Sequence, residues 1–465
     1  MKEPQKIKQF ISSPLGDAGS LAVYFIGIGG IGMSALARYF KSLGATVTGY
    51  DRSITPLIRE LEEEGIDVHF DEDVNAIPKD VDVVVYTPAI PADHKELVYY
   101  KENNYTVVKR SDVLQWITES SFNICVGGTH GKTTVTTMIA HVLRDSGYGC
   151  NAFLGGISAN YQTNFWSSGN NVAVIEADEY DRSFLKLLPD IAVITAMDAD
   201  HLDIYGSVAE LENAFVEFSG KIKTGGCLVS KCGLRRSKDL DAATHYTYAY
   251  DNEAADVYAS DIKVVNGAYK YDVVNKHWEL KGVELHMGGL HNIENSIAAI
   301  IVCKYLKIDD NKIKKALKNF KGVRRRFEYV LKNNKHVLID DYAHHPAEIK
   351  ALLSGVRSLY GDEKLTVIFQ PHLYSRTNDF ADEFAHSLDM ADEVILLPIY
   401  PAREVPMEGV TSGLILDEML LPQKQILDKN AMIDWVKLYK PKLLVMCGAG
   451  DIDALVQPVK EILMG

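Results

Sequence analysis

Several absences narrow this sequence before any motif does. Its six cysteines, Cys125, Cys150, Cys227, Cys232, Cys303 and Cys447, form no C-x-x-C pair. That spacing argues against a disulfide framework and for reduced, buried thiols. No stretch of 18 uncharged apolar residues occurs, and the opening Met-Lys-Glu-Pro-Gln-Lys has no apolar signal core. The expectation is therefore a cytoplasmic protein with no membrane insertion. Long Lys/Arg blocks are missing, and 63 acidic residues against 49 basic ones give a net charge of −14. A polyanion such as nucleic acid would be repelled on average. Neither low-complexity tracts nor short-period repeats are present.

What is present is length and apolar content. With 465 residues, 47% of them hydrophobic, the chain can build more than one core, and at about 100 to 200 residues per domain three domains are expected. From Leu21 to about Ser120, strand-like runs (22–27, 46–50, 82–87) alternate with helix-like ones (33–43, 56–64). This βαβ grammar implies a parallel sheet with ligands at the carboxyl ends of its strands. The polar Thr118-Glu119-Ser120-Ser121 reads as a linker. A second α/β unit follows, with a tyrosine-rich stretch between about 225 and 289 that reads as added antiparallel strands. After Gly322 the alternation resumes, with strands expected at 337–339, 365–369, 393–398 and 443–447. The expected fold is α/β with domains 1–120, 121–322 and 323–465: Rossmann-like, phosphate-loop ATPase-like, and Rossmann-like again.

The motif richest in chemistry is Gly127-Gly128-Thr129-His130-Gly131-Lys132-Thr133-Thr134. It stands between a buried strand-like run and a helix-like one, where backbone N–H groups and the helix N-terminus would enclose a phosphate. Lys132 would reach the terminal phosphates and Thr133 would ligate Mg²⁺. Val126 occupies the place where the usual pattern has its first glycine. Earlier in the chain, Gly27-Ile28-Gly29-Gly30-Ile31-Gly32 satisfies G-x-G-x-x-G, and Asp51 follows at about the distance of an acidic ribose partner. By itself this admits a dehydrogenase as readily as any other binder of a diphosphate.

Two acidic loops follow strands: Glu176-Ala177-Asp178-Glu179 and Asp198-Ala199-Asp200-His201. Carboxylate, imidazole and the Thr133 hydroxyl together would hold Mg²⁺ against ATP phosphates, with waters completing the octahedron. Asn292 and Asn295 stand three apart at a helix start, suited either to reading an adenine edge or to capping. Arg324-Arg325-Arg326 is either a solvated turn or a source of positive charge for a transferring phosphoryl group. The stretches 340–346 and 370–377 each follow a strand and place His344, His345, His372 and Arg376 at the strand ends of one sheet, as a shared cleft or as plain surface turns.

In this order the motifs resemble the Mur ligases of bacterial peptidoglycan synthesis, over nearly the whole chain: GIGGIGMSA (27–35), GTHGKTT (128–134), EADE (176–179), DADH (198–201), HNIEN (291–295), Arg326-Phe327-Glu328 and DYAHHP (341–346). The resemblance explains Val126, since these ligases carry a shortened phosphate loop. It implies UDP-N-acetylmuramate, ATP and L-alanine as substrates, with an acyl phosphate between them. Gly27, Gly29, Gly30, Gly32, Ser34 and Asp51 would hold the UDP-sugar. Gly128 to Thr134 (Thr129, His130, Gly131, Lys132 and Thr133 included), with Asn292, Asn295 and Arg326, would hold ATP. Thr133, Glu176 and His201 would surround Mg²⁺, and Lys132, His201, Arg326 and Asp341 would carry catalysis. Tyr342, His344 and Arg376 would receive the amino acid. Many relatives have an arginine directly after the His372 equivalent, where this chain has Leu373. A monomer and a homodimer both fit.

Overall fold

The computed structural model describes every residue except 1, 2, 13–19, 200, 201 and 403. His201 and Asp200 of the second acidic loop therefore lie outside the described residues. The chain forms two compact units: one comprises Met1–Ser260, Val273–Lys281 and Glu294–Leu317, the other Asp261–Asp272, Gly282–Ile293 and Lys318–Gly465.

In the first unit, strands β1 (Ala22–Ile26), β2 (Thr46–Tyr50), β3 (Asp67–His69), β4 (Val83–Tyr86) and β5 (Val107–Lys109) form a parallel sheet of order β3-β2-β1-β4-β5. β1 and β4 are near-continuous apolar runs because helices cover both faces of such a sheet. The order reverses beside β1, so the Gly27–Gly32 turn opens at the switch point where open α/β sheets take their ligands.

A ten-stranded sheet follows: β6 (Phe122–Gly127), β7 (Asn151–Ser158), β8 (Thr163–Trp166), β9 (Val172–Glu176), β10 (Ile191–Ile194), β11 (Cys227–Lys231), β12 (Thr244–Ala249), β13 (Val257–Val265), β14 (Ala268–Asn275) and β15 (Trp278–Leu285), in the order β15-β14-β13-β12-β11-β10-β6-β9-β7-β8. β6 lies between β9 and β10, so the phosphate loop and both acidic loops leave the same end of three neighbouring strands.

Thr118–Ser121 is not a linker: the helix Arg110–Ser120 runs through it, Thr118 is fully buried, and the hydroxyls of Thr118 and Ser121 donate to the Gln115 and Ile117 carbonyls at 2.8 and 2.7 Å. The polar letters bond back to carbonyls in the last turns of a buried helix end. The tyrosine-rich β12 pairs in parallel with both β11 and β13, where antiparallel pairing was expected. Alternation reports a strand with two unlike faces and carries no information about direction. Beyond β12 the antiparallel expectation holds. Asn266 and Gly267, at φ 54° and 68°, make the two-residue turn between β13 and β14 that only an antiparallel hairpin uses.

The second unit carries a six-stranded sheet of β16 (Glu328–Lys332), β17 (Val337–Asp341), β18 (Leu365–Phe369), β19 (Glu393–Leu396), β20 (Lys424–Ile426) and β21 (Leu443–Cys447), in the order β16-β17-β21-β18-β19-β20. Only β16 runs antiparallel, at the edge. Its buried layer is aliphatic and sulfur-rich: Leu338, Ile368, Ile395, Met432, Leu444 and Met446 pack together.

Candidate active site

In the first unit the glycine turn is shaped by its neighbours. Gly27 (φ 84°) and Ile28 both donate to the Tyr50 carbonyl, at 2.8 and 3.0 Å, and Gly29 donates to Asp51 Oδ2 at 2.9 Å. Asp51 Oδ1 also accepts from the Ser53 N–H at 3.2 Å, so this carboxylate braces two turns. A side chain on Gly29 would lie 2.8 Å from Ile58 and 2.9 Å from Asp51. Ser34, expected at the UDP-sugar, is fully buried. Its hydroxyl donates to the Ile31 carbonyl and accepts from Asn164 Nδ2 at 2.9 Å, which places it within the fold as a support of the turn.

The phosphate loop leaves β6 with Gly128 at φ 132° and Gly131 at φ 82°, where a β-carbon would be strained. A β-carbon on Gly128 would also meet Thr195 Oγ1 at 2.2 Å. Thr195, just past β10 and absent from the sequence reading, ties the loop down: its N–H donates to the Gly127 carbonyl at 3.0 Å and its hydroxyl donates to the His130 carbonyl. Thr129 Oγ1 accepts from the Asp198 N–H at 3.1 Å, Thr134 is buried and His130 is exposed. Asn295 sits against the loop, 2.9 Å from where a Gly131 β-carbon would be. Lys132 Nζ pairs with Glu179 Oε1 at 2.7 Å. Glu179 is fully buried, and burial raises its pKa against the pull of Lys132. This fourth letter of EADE had no role in the sequence reading. Thr133 Oγ1 donates to Glu176 Oε1 at 2.9 Å, and Glu176 Oε2 accepts from the Gly155 N–H at 3.0 Å. Loop lysine, hydroxyl and acidic loop thus converge, as expected from the sequence.

A cavity of about 180 Å³ joins the glycine turn to the first acidic loop, lined by Ile31 and Gly32, by Glu176 and Asp178, and by Arg110 and Phe153.

In the second unit, Asn292 donates from Nδ2 to the Gly288 carbonyl at 2.7 Å, which ties this side chain to the turn that precedes the helix Leu290–Tyr305. Asp341, at the end of β17, accepts from the Phe327 and Ala343 N–H groups at 2.6 and 2.7 Å. Burial nevertheless pushes its pKa up to about 6. The three consecutive arginines have different fates. Arg324 and Arg326 are exposed, whereas Arg325, at φ 59°, donates to the Gly448 carbonyl at 2.5 Å, stands 3.4 Å from Asp340 and covers the Tyr342 ring at 5.1 Å. Asp340 is buried and its pKa is pushed up to about 7, in spite of Arg325. Tyr342 is 46% exposed and packs edge-on against His344, whose Nδ1 faces the Tyr342 carbonyl at 2.9 Å. His344 also meets His372, and Arg376 Nη1 lies 3.5 Å from His372 Nδ1. Burial first, then Arg376 and His344, lower the His372 pKa. Tyr342, His344 and Arg376 therefore share one cluster with His372. Leu373 holds φ 73°, a conformation costly for a branched side chain and retained where surrounding contacts enforce it. Its N–H donates to the Tyr400 carbonyl at 2.9 Å.

Three family models match consecutive stretches of the chain: "Mur ligase family, catalytic domain" over residues 22–121, "Mur ligase middle domain" over 126–303, and "Mur ligase, glutamate ligase domain" over 325–450. A Porphyromonas gingivalis protein named UDP-N-acetylmuramate–L-alanine ligase is 48% identical over 449 residues, covering 95% of this chain and 98% of its own. A protein of the same name from Flavobacterium johnsoniae is 46% identical over 445 residues, covering 95% and 97%. Among solved structures, a UDP-N-acetylmuramate-alanine ligase from Thermotoga maritima matches with a TM-score of 0.79 at 27% identity, covering 96% of this chain and 98% of that one.

Proposed function

The chain belongs to the Mur ligase family, and from that premise we propose how its own residues carry the family's reaction. It is an ATP-dependent, amide-forming ligase that joins L-alanine to the carboxylate of UDP-N-acetylmuramate in peptidoglycan synthesis. A carboxylate is a poor acyl donor, so its oxygen attacks the γ-phosphorus of ATP, giving an acyl phosphate and ADP. The alanine amine, once it has lost a proton, then attacks the acyl carbon. The N–C bond forms, the C–O bond to phosphate breaks, and inorganic phosphate leaves. The protein aligns the reactants and offsets crowded negative charge.

The observation that carries this reading is the convergence of Lys132, Thr133 and Glu176 at the phosphate loop with a cavity that reaches the glycine turn. In it, the turn at Gly27, Gly29, Gly30 and Gly32, braced by Asp51 and Ser34, takes the UDP diphosphate. Gly128 to Thr134 encloses the ATP phosphates, Lys132 exchanging Glu179 for them. The Thr133 hydroxyl and the Glu176 carboxylate, 2.9 Å apart, are hard oxygen donors that fit Mg²⁺. Among the described residues no group of three or more His, Cys, Asp or Glu side chains stands close enough to hold a metal. That suits an ion that keeps waters and phosphate oxygens as its other ligands, with His201 adding an imidazole. Bound there, Mg²⁺ supplies charge neutralisation at the phosphates. Asn292 and Asn295 serve the adenine side, Arg326 and Asp341 the phosphoryl transfer, and Tyr342, His344 and Arg376 the amino acid. With Leu373 in place of an arginine, Arg376 alone takes the alanine carboxylate. We assign residues 1–120, 121–322 and 323–465 to the UDP-sugar, ATP and amino acid respectively, in a cytoplasmic monomer or homodimer. Among the described residues no helix is long and apolar enough to cross a membrane.

The test is a coupled ADP assay with mass spectrometry of the product. ADP release is expected only when UDP-N-acetylmuramate, Mg²⁺ and L-alanine are all present, with L-alanine preferred in a screen of amino acids. ADP release indifferent to amino acid would defeat the proposal.

A further inference from the structure

The cavity between the glycine turn and the acidic loop has one cation among its described lining residues, Arg110, which belongs to neither motif. Arg110 opens the helix Arg110–Ser120, and its guanidinium lies over Gly32 so closely that a β-carbon there would stand 2.1 Å from Nη1. Gly32, the last glycine of the turn, thus makes the room in which this guanidinium sits. Its charge partner is Asp178, at 3.5 Å, with the two side chains 22% and 39% exposed. A loose, partly solvated pair of this kind contributes little to stability, so stability does not account for an arginine kept at this spot. The remaining charged lining, Glu176 and Asp178, is acidic. An anionic group entering there would be repelled without Arg110.

We propose that Arg110 binds the carboxylate of the UDP-sugar, exchanging Asp178 for it, and so orients the oxygen that becomes phosphorylated. The proposal rests on the assignment of the glycine turn to that substrate and goes beyond it by naming the residue that recognises the acid. A guanidinium suits the task because its planar fork matches both oxygens of a carboxylate. The UDP diphosphate is the other anion within the same ligand, and ligands that keep the diphosphate but lack the carboxylate separate the two.

Binding is measured by calorimetry on the full chain without ATP, using UDP-N-acetylmuramate, UDP-N-acetylglucosamine and UDP; the last two lack the carboxylate. Arg110→Ala is expected to weaken UDP-N-acetylmuramate by about ten- to a hundredfold, the scale of a lost charged hydrogen bond, while the other two ligands stay within about threefold. Asp178→Asn, which removes the competing anion, is expected to tighten UDP-N-acetylmuramate alone. Arg110→Lys keeps charge and stem, so it should retain the fold and show the same selective loss at smaller size. Equal losses for all three ligands would assign Arg110 to the diphosphate and overturn the proposal, as would unchanged affinities in both Arg110 variants. If the unaltered chain binds none of the three, the assignment of the glycine turn itself fails, a result distinct from either.

Discussion

Asp340 and Arg325 show how a single residue's environment can reverse an ordinary expectation. A surface aspartate paired with arginine is held ionised, but Asp340 is buried with Oδ1 lacking a hydrogen-bond partner, and desolvation outweighs the guanidinium 3.4 Å away. Its pKa in the fold, about 7, lies above the ordinary value of 3.8. The folded state therefore holds this proton more tightly than the unfolded chain does. The resulting stabilisation is complete below about pH 4 and is lost as pH rises through about 7. Asp341, pushed up to about 6, adds a slope of the same sign. Thermal unfolding midpoints followed across this window should fall less steeply in Asp340→Asn than in the unaltered chain. Parallel slopes would mean that Asp340 does not titrate there.

One strand and one helix of the first unit show how an element positions a motif it does not contain. Asn164 on β8 is fully buried. It donates from Nδ2 to the Ile31 carbonyl at 2.5 Å and to Ser34 Oγ at 2.9 Å, and its Oδ1 accepts from Arg38. Arg38 in turn makes a two-pronged bond to Glu64, and Tyr39 packs edge-on against Phe153 and Phe165. The first turn of the helix Ile31–Ser42, which carries the end of the glycine motif, is thereby fastened to the sheet that carries the phosphate loop. Asn164→Leu keeps the heavy-atom count and the branching at Cγ but strands the Arg38 and Ile31 partners. We expect it to lower stability to urea by about 1 to 3 kcal/mol. It should also raise the KM for the UDP-sugar more than that for ATP, because the glycine turn loses its anchor while the phosphate loop keeps Thr195.

At the scale of the whole molecule, ligand binding is linked to folding. A ligand that binds only the folded chain stabilises it by about 2.7 kcal/mol at a hundredfold excess over its Kd. UDP-N-acetylmuramate should therefore raise the unfolding midpoint by several degrees in differential scanning fluorimetry, and NAD should not if the glycine turn takes a UDP-sugar as we propose. Sequence alone determined the parts whose chemistry is local. Glycines at 27–32 and 128–131 demand tight turns, Lys132 and Thr133 follow at fixed spacing, and apolar runs alternate with helical ones, so sheet class and phosphate loop were legible from adjacent residues. Tertiary structure alone decided the rest, because it depends on partners distant in the chain. Examples are Thr195 holding the phosphate loop, Glu179 receiving Lys132, Arg325 singled out from a run of three arginines, and Arg110 seated over Gly32 and paired with Asp178. The polar run at 118–121 and the alternating tyrosines of β12 misled for the same reason. Burial and strand direction are set by what a segment packs against, and no letter in the segment records it.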